Sequence, residues 1–329
     1  MNINKLGIIG LGSIGKRHLR LLKEIRPDIE VIVLRSGRGK SCKEEKLATK
    51  IVKSIDLIIA EGIQAAIISS PATLHIKQAL VLAKAGVHLL IEKPLSDSLE
   101  GINQLLKILD DNNLVSMVGY VLRYDPGAIK FKKLIDANAI GDILHARIEC
   151  GSYLPEWRPG LDYKTSVSAQ SELGGGVLLE LSHELDYLHW FFGKPKDVQA
   201  LVRNTGSLDI DVEDQVDLLL TSSEGYCISV QIDFNRRNIE RKCKLLTTEG
   251  EVIWDAVNKS VICNLEEKAE EIFNYDNQRD YLYKKQLKVF IDSVEKNITP
   301  PVNINNGIDV IKLIDSIRKA SLNESKVFL

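Results

Sequence analysis

Apolar and polar positions along the first 120 residues alternate between two periods. Short apolar segments at 7–9, 30–34, 65–69, 88–92 and 115–119 predict strands, and longer segments such as 16–25 and 74–85 have helical spacing. Strands that alternate with helices are typical of a parallel sheet covered by crossover helices. The pattern therefore predicts the α/β class, with an amino-terminal Rossmann doubly wound parallel sheet.

The pattern changes after about residue 120. Segments 144–150, 215–221, 227–234 and 242–248 predict strands joined by turns, and segments 177–192, 281–296 and 308–320 predict helices. We interpret this half as a carboxy-terminal α+β domain with a large, mainly antiparallel open sheet and helices on one face. The predicted domains are a dinucleotide-binding domain over 1–120 and a substrate-binding domain over 121–329.

Composition excludes several classes of protein. The 329 residues are 44% hydrophobic and 27% charged, with a formal net charge of -2, so no basic surface predicts binding to nucleic acid or to an anionic membrane. No apolar run approaches the roughly 20 residues that span a bilayer. The five cysteines lack CxxC spacing, and Tyr187 stands where an HExxH site needs histidine, so we predict no metal site. A reducing, cytoplasmic setting is expected.

A glycine-rich turn lies between the first predicted strand and the first predicted helix. Its sequence is Gly10-Leu11-Gly12-Ser13-Ile14-Gly15, which is the GxGxxG pattern of dinucleotide-binding proteins. Gly10 makes the tight turn, Gly12 lets a phosphate approach the backbone, and Gly15 lets the helix pack on the strand. The alternative is a chance glycine-rich turn. The strand–turn–helix context favours a pyrophosphate held by the backbone from Gly10 to Gly15, including Ser13 and Ile14.

The end of the second strand suggests which nicotinamide cofactor binds. About 20 residues beyond the glycine turn, an acidic residue would contact the ribose hydroxyls of NAD. This chain has Arg35, Ser36, Gly37 and Arg38 there, with no acidic acceptor nearby. Because a guanidinium and a hydroxyl suit a 2′-phosphate, NADP is favoured over NAD. Alternatively the two arginines are solvated loop charges, which leaves NAD.

Two segments carry groups that could transfer protons. Glu92-Lys93-Pro94 ends the fourth predicted strand, at the sheet edge where open parallel sheets bind ligands, so Lys93 could stabilise or protonate a carbonyl oxygen. Glu180, His183 and Asp186 recur every three residues on the helix predicted after Gly174-Gly175-Gly176, so that a carboxylate could orient the imidazole. The alternatives are a surface charge pair and a polar helix face in water.

Taken in order, these motifs resemble the Gfo/Idh/MocA oxidoreductase family. The resemblance rests on the glycine turn, Ser70-Pro71-Ala72-Thr73-Leu74-His75, Glu92-Lys93-Pro94, Arg123-Tyr124-Asp125-Pro126 and the segment 174–186. It implies a Rossmann domain followed by an open sheet that holds substrate and pairs copies of the chain into a homodimer or homotetramer.

The resemblance also implies roles for individual residues. Lys93 resembles the family's catalytic lysine, with Pro94 after a cis peptide bond, and His183 resembles its proton-transfer histidine, with Asp186 three residues later. The cofactor set implied around the nicotinamide and its ribose is Ser70, Pro71, His75, Glu92 and Lys93. Many relatives carry an aspartate four residues before the histidine, where this chain has Leu179. Either Glu180 takes that role or this chain dispenses with it.

These observations lead to an NADP- or NAD-dependent oxidoreductase that acts on a hydroxyl or carbonyl of a sugar. A nucleotide-linked or acidic sugar for surface polysaccharide synthesis is one such substrate. Aromatic faces can pack on a sugar ring, and cationic side chains can bind its phosphate or carboxylate. The candidate substrate contacts are Arg123, Tyr124, Tyr153, Trp157, Arg158, Tyr163 and Lys164. Two alternatives stay open, a dinucleotide- or sugar-sensing regulator without catalysis and an NAD-dependent glycosidase.

Overall fold

The computed structural model describes residues 2–37 and 41–329 and divides into two compact units. The first unit holds the described residues up to Val121 together with Gln278–Ile311. The second unit holds Leu122–Asn277 and Lys312–Leu329. The sequence predicted one uninterrupted second domain over 121–329, whereas the contacts group a later helical segment with the amino-terminal unit.

The first unit contains a six-stranded parallel sheet with the order β3-β2-β1-β4-β5-β6. Its strands are β1 (Lys5–Ile9), β2 (Glu30–Leu34), β3 (Lys50–Val52), β4 (Ala65–Ile68), β5 (His88–Ile91) and β6 (Ser116–Val118). Every residue of β4 and β5 is buried, because helices cover both faces of a doubly wound sheet. The predicted Rossmann sheet is confirmed, with β3 as an added three-residue edge strand.

Helices of the first unit follow the strands along the chain. They are α1 (Ser13–Ile25), α2 (Ile55–Ala60), α3 (Ala72–Lys84), α4 (Ile102–Asp111) and α8 (Arg279–Lys296). Helix α1 buries His18, Leu19, Leu21 and Leu22 and leaves its charged residues outside. Arg20 on α1 donates to Asp280 on α8 at 2.7 Å, which explains why the later segment belongs to this unit. A further helix, α9 (Ile304–Leu322), begins in the first unit and ends in the second.

The second unit contains a nine-stranded sheet with the order β14-β13-β12-β11-β7-β10-β9-β8-β15. Its strands are β7 (Ile143–Gly151), β8 (Asp197–Arg203), β9 (Gln215–Thr221), β10 (Cys227–Asp233), β11 (Glu240–Thr247), β12 (Gly250–Asp255), β13 (Ser260–Leu265), β14 (Glu271–Asn274) and β15 (Val327–Phe328). Only the central pair of β7 and β10 is parallel among the described strand pairs of this sheet. The large, mainly antiparallel sheet is therefore confirmed.

Three helices of the second unit are α5 (Pro126–Asp136), α6 (Val177–Glu180) and α7 (His183–Phe192). Short 3₁₀ turns lie at Lys43–Leu47, Val121–Tyr124, Leu154–Glu156, Tyr163–Thr165, Val167–Ala169 and Ser171–Leu173. On α7, Tyr187 packs edge-on against Trp254 of β12, with ring centroids 5.1 Å apart, which anchors the helix on the sheet. Within the described parts of the chain, no helix is long and apolar enough to cross a bilayer.

Candidate active site

The glycine turn of the first unit has the geometry that a pyrophosphate requires. Gly10 has a φ of +92°, which favours glycine, and a Cβ at Gly15 would lie 2.1 Å from the Gly10 carbonyl oxygen. A Cβ at Gly12 would meet no described atom within 4 Å. Helix α1 begins directly after Gly12, and its described first turn has neither a side-chain cap nor an acidic residue. Its N-terminal amides are thus suited to an anion.

The loop after β4 is tied to the glycine turn. Ser69 lies close enough to donate its hydroxyl to either the Ile9 or the Gly10 carbonyl, at 3.0 and 2.9 Å. The Ser70 hydroxyl donates to Gln78 at 2.7 Å, and Pro71 caps α3. The predicted cofactor loop at Ser70 and Pro71 therefore lies beside the glycine turn, and Ser69, which the sequence analysis did not single out, joins the two.

His75 is almost fully buried on α3, with 1% of its surface exposed. Its Nδ1 lies 2.9 Å from the Pro94 carbonyl oxygen and its Nε2 lies 2.8 Å from the Ser70 carbonyl oxygen. Burial lowers the pKa of His75, although both carbonyl oxygens act in the opposite direction. The imidazole therefore connects the Ser70 loop to the segment after β5. It is buried in this position and is not exposed to solvent.

Glu92, Lys93 and Pro94 follow β5 directly. The Lys93–Pro94 peptide bond is cis, as the resemblance implied, and Lys93 is half-buried. Glu92 is 6% exposed, and one of its carboxylate oxygens lies 2.5 Å from Nε2 of the fully buried His18. The sequence analysis grouped Glu92 with the cofactor contacts and did not pair it with His18. The position of His18 on the apolar face of the helix after the glycine turn was the one sequence feature that could have indicated this pair.

Arg35 directly follows β2, near the position that the spacing predicted, but its guanidinium is paired with a carboxylate. Glu45, brought in by the 3₁₀ turn Lys43–Leu47, forms an ion pair with Arg35 and accepts a hydrogen bond from the Cys42 amide at 2.9 Å. This amide lowers the pKa of Glu45. The expectation that no acidic group lies near Arg35 is wrong, because the chain folds back ten residues later. Arg38 lies outside the described residues.

The helix predicted over 177–192 is interrupted in the second unit. Helix α6 ends at Glu180, Leu181 has φ -98° and ψ 28°, and α7 begins at His183. Glu180 and His183 therefore do not share one regular helical face, which corrects the predicted spacing. His183 is half-buried at the start of α7, and Leu179 is 2% exposed in the core.

Gly176, the last of the three glycines before α6, lies against a half-buried carboxylate that the sequence did not indicate. Gly176 has a φ of +104°, and a Cβ there would lie 2.4 Å from a Glu213 carboxylate oxygen. Glu213 accepts hydrogen bonds from the Val177 amide through its backbone oxygen, at 3.0 Å, and from the Leu178 amide through its side chain, at 3.3 Å. Burial raises the pKa of Glu213. The residue caps α6 from a distant part of the chain.

Asp186 and Arg123 form a buried, bidentate ion pair within the second unit. Arg123 donates through Nε and Nη2 to the two carboxylate oxygens, at 2.7 and 2.8 Å, and the side chains are 9% and 1% exposed. Burial raises the pKa of Asp186, against the influence of Arg123. The guanidinium also lies 5.0 Å from the centre of the Trp190 ring. Arg123, which was predicted to contact substrate, is thus paired with Asp186, which was predicted to assist catalysis.

The other predicted substrate contacts divide between a cavity and the surface. Trp157, Arg158 and Tyr163 line a cavity of about 120 Å³ together with Ser166 and Ser168. Tyr153 lies under the Arg237 guanidinium at 3.4 Å. Lys164 forms an exposed ion pair with Asp209. The Tyr124 hydroxyl is buried without a hydrogen-bond partner in the described part of the chain, and burial raises its pKa. Of these residues, Trp157, Arg158 and Tyr163 line one cavity, and the others lie outside its lining.

No group of three or more histidine, cysteine or acidic side chains that could hold a metal ion occurs among the described residues. The groups with candidate chemistry are the Lys93 ammonium, the His183 imidazole and the amides at the N-terminus of α1.

Known proteins resemble the chain along almost its whole length. It is 25% identical to the myo-inositol 2-dehydrogenase of Thermotoga maritima over 98% of this chain and 97% of that protein. It is 23% identical to an inositol 2-dehydrogenase/D-chiro-inositol 3-dehydrogenase of Halalkalibacterium halodurans, over 99% of this chain and 93% of that protein.

Solved structures share the fold. A levoglucosan dehydrogenase in complex with NADH has a TM-score of 0.89 at 20% identity and covers 100% of this chain and 99% of its own. Residues 4–120 match the family described as "Oxidoreductase family, NAD-binding Rossmann fold", and residues 128–253 match the "GFO/IDH/MocA C-terminal domain". The chain is therefore an enzyme of the Gfo/Idh/MocA oxidoreductase family, with an NAD-binding Rossmann fold at its amino terminus.

Proposed function

We propose that this enzyme transfers hydride between a nicotinamide dinucleotide and a secondary hydroxyl or ketone of a sugar or polyol. The observation that carries the proposal is the open Gly12 position beside the uncapped start of α1, which fits a pyrophosphate. The names of the relatives, inositol and levoglucosan dehydrogenases, support a polyhydroxylated substrate. A nucleotide-linked sugar is the second candidate, supported by the shared fold of a UDP-N-acetylglucosamine 3-dehydrogenase of Acidithiobacillus ferrooxidans.

Two side chains carry the proposed proton chemistry. In the oxidative direction, an imidazole nitrogen of His183 accepts the proton of the reacting hydroxyl. The Lys93 ammonium donates a hydrogen bond to the same oxygen and stabilises its developing negative charge. A nicotinamide dinucleotide held at the turn Gly10–Gly15 would supply the hydride acceptor for the carbon that bears this hydroxyl. In the reductive direction His183 returns the proton to the oxygen, and Lys93 again donates a hydrogen bond to it. Asp186 and Glu180 are proposed only to support His183.

Cofactor choice is proposed to depend on Glu45. Because Glu45 already neutralises Arg35, a 2′-phosphate would have to displace a carboxylate to reach the guanidinium. These contacts favour NAD, in contrast to the preference for NADP suggested by the sequence. Ribose hydroxyls could instead donate hydrogen bonds to Glu45, as they do to an acidic residue in NAD-specific folds.

We also propose that copies of the chain associate through the exposed face of the nine-stranded sheet. Leu201 on β8 and Leu219 on β9 are 51% and 52% exposed on this face, where an open depression of about 560 Å³ also includes Arg147 and Gln231. Exposed leucines on a broad sheet are typical of a face that another protein surface covers. The cytoplasmic location expected from the cysteines stays a prediction.

The test identifies the cofactor and then measures whether turnover changes its oxidation state. Mass spectrometry of the dinucleotide that copurifies identifies the cofactor, and a panel of myo-inositol, levoglucosan and UDP-N-acetylglucosamine is then followed at the absorbance band of reduced nicotinamide. A net absorbance change with turnover supports the oxidoreductase. Product without a net change indicates the glycosidase, and binding without product indicates the sensor; either result contradicts the proposal.

A lysine variant tests the mechanism itself. Lys93→Met removes the ammonium while it keeps a side chain of similar length, so we expect turnover to fall by at least about 10³-fold. Cofactor affinity, measured by titration calorimetry, should change little, because the glycine turn holds the pyrophosphate. Lys107→Met, at an exposed position of α4, is the control with unchanged turnover. Full activity of Lys93→Met would remove the proposed mechanism.

A further inference from the structure

Glu92 is a buried carboxylate immediately before Lys93, and its position calls for an explanation. It is 6% exposed, and burial of a carboxylate without a partner is costly. One oxygen lies 2.5 Å from Nε2 of His18, which is 0% exposed. The other oxygen lies 3.3 Å from the Lys93 amide nitrogen. A Cβ at Gly119, directly after β6, would lie 2.8 Å from that second oxygen, so the glycine leaves the space that the carboxylate occupies.

The surroundings of His18 identify which group donates. Nδ1 of His18 has no hydrogen-bond partner among the described residues. A doubly protonated ring would leave a charged, buried N–H without an acceptor, whereas a neutral ring protonated at Nε2 leaves only a lone pair. We therefore assign the proton to Nε2, which donates to Glu92.

A second buried imidazole holds the other side of Lys93. His75 contacts the Pro94 carbonyl oxygen through Nδ1, as described above, and the Glu92 carboxylate acts to raise the pKa of His75, against the larger effect of burial. His18 therefore constrains the residue before Lys93 from α1, and His75 constrains the residue after it from α3. The ring of Tyr283 on α8 packs edge-on against His18, with centroids 5.9 Å apart, and the Arg17 guanidinium lies 4.8 Å from the centre of the same Tyr283 ring.

We propose that His18 and Glu92 are positioning residues that hold Lys93 in the orientation its reaction requires. A buried polar pair stabilises a fold only weakly, and apolar side chains could fill the same space. The pair would instead fix the backbone before Lys93 and hold a carboxylate oxygen against the Lys93 amide. Small displacements of a reacting group can cost about 10²-fold in rate. This inference rests on the proposed function, since it concerns the lysine assigned to catalysis there.

The test compares graded substitutions within the pair. His18→Leu removes the donor, whereas His18→Gln keeps an N–H near the position of Nε2. Glu92→Gln keeps the acceptor oxygen and removes the charge. The control is His88→Ala, which removes another buried histidine, at the opposite end of β5, where Nδ1 accepts the Val115 amide at 2.9 Å. The kcat of each variant is calculated per mole of folded protein, and the folded fraction is taken from melting curves measured in parallel.

We expect His18→Leu and Glu92→Gln to lower kcat by about 10- to 100-fold while KM and the cofactor dissociation constant change by less than about threefold. His18→Gln should recover part of kcat. His88→Ala should lower the melting temperature and leave kcat unchanged. A second readout needs no turnover: acetic anhydride labelling of Lys93 relative to the exposed Lys107, measured by mass spectrometry, should change by at least about threefold in His18→Leu.

Two results would overturn the inference. One is an unchanged kcat per folded His18→Leu protein, and the other is an equal loss in His88→Ala. Lys93→Met separates this failure from failure of the proposed function. If Lys93→Met is inactive and the His18 variants are normal, only the positioning role is wrong; if Lys93→Met is fully active, the proposed chemistry itself is wrong.

Discussion

Single glycines of the dinucleotide turn differ in what they contribute. At Gly15 a Cβ would lie 2.1 Å from the Gly10 carbonyl oxygen, so the folded chain itself requires glycine at this position. At Gly12 the backbone has φ -71° and ψ -166°, which any residue can adopt, and the space beside it is open. The described fold therefore does not itself require glycine at position 12, and the proposed pyrophosphate would supply the reason for it.

A pair of alanine variants separates the two requirements. Gly12→Ala should keep the melting temperature within about 2 °C and weaken cofactor binding at least about tenfold, because the methyl group occupies only the space of the pyrophosphate. Gly15→Ala should lower the melting temperature by several degrees through the backbone collision. Differential scanning fluorimetry and calorimetric titration of NAD measure both effects. Tight cofactor binding by Gly12→Ala would contradict the assigned role.

Glu45 provides a second prediction for a single residue. Glu45→Gln frees the Arg35 guanidinium from its ion pair, so the ratio of the NADP to the NAD dissociation constant should fall by about tenfold or more. Arg35→Ala should remove this gain when combined with Glu45→Gln. Glu24→Gln, which alters an exposed ion pair on α1, is the control with an unchanged ratio. If Glu45→Gln left the ratio of the two dissociation constants unchanged, the Glu45–Arg35 pair would have no role in cofactor choice.

Helices α6 and α7 are the elements where local sequence and tertiary contacts disagree. Leu181 and Ser182 are compatible with a helix, so periodicity predicts one element over 177–192. The interruption accompanies contacts from far along the chain, with Glu213 at the start of α6 and Arg123 at Asp186 on α7. No spacing rule within the segment contains this information, because both partners lie at least 35 residues away.

The buried ion pair of α7 leads to a stability prediction for that element. Arg123→Ala leaves the buried Asp186 carboxylate without its partner, which should cost about 3–5 kcal/mol of unfolding free energy. Arg123→Lys should recover only part of this, since an ammonium cannot replace a bidentate guanidinium. Lys164→Ala, in an exposed ion pair, should change stability little. Urea denaturation measures all three, and equal losses in Arg123→Ala and Lys164→Ala would contradict the argument.

The whole molecule should become less stable as the pH falls through the range of histidine titration. Burial lowers the pKa of both His75 and His88 below the ordinary value of 6.5. The unfolded chain therefore takes up these protons first, and stability decreases as the pH falls below about 6.5. Melting temperatures between about pH 7.5 and pH 5.5 should show this decrease. Replacement of His75 by Gln should reduce the slope, and an unchanged slope in both His75→Gln and His88→Gln would contradict it.

The proposed association through the sheet face makes a prediction about molecular mass in solution. Leu219→Glu places a charge on this exposed face and should dissociate the oligomer, as light scattering after size-exclusion chromatography would show. Leu322→Glu, at a position 84% exposed near the end of α9, is the control that should keep the mass of the parent protein. A monomeric parent protein would remove the proposal.

The sequence by itself determined the class of the fold, the cofactor-binding turn and the order of the candidate motifs. These features depend on residues close together in the chain, where strand and helix periods and glycine spacing act locally. Tertiary structure alone decided the His18–Glu92 pair, the capping of α6 by Glu213, the occupation of Arg35 by Glu45 and the placement of Gln278–Ile311 in the first unit. Each of these depends on which segments pack together, and periodicity within one segment carries no information about its distant partners.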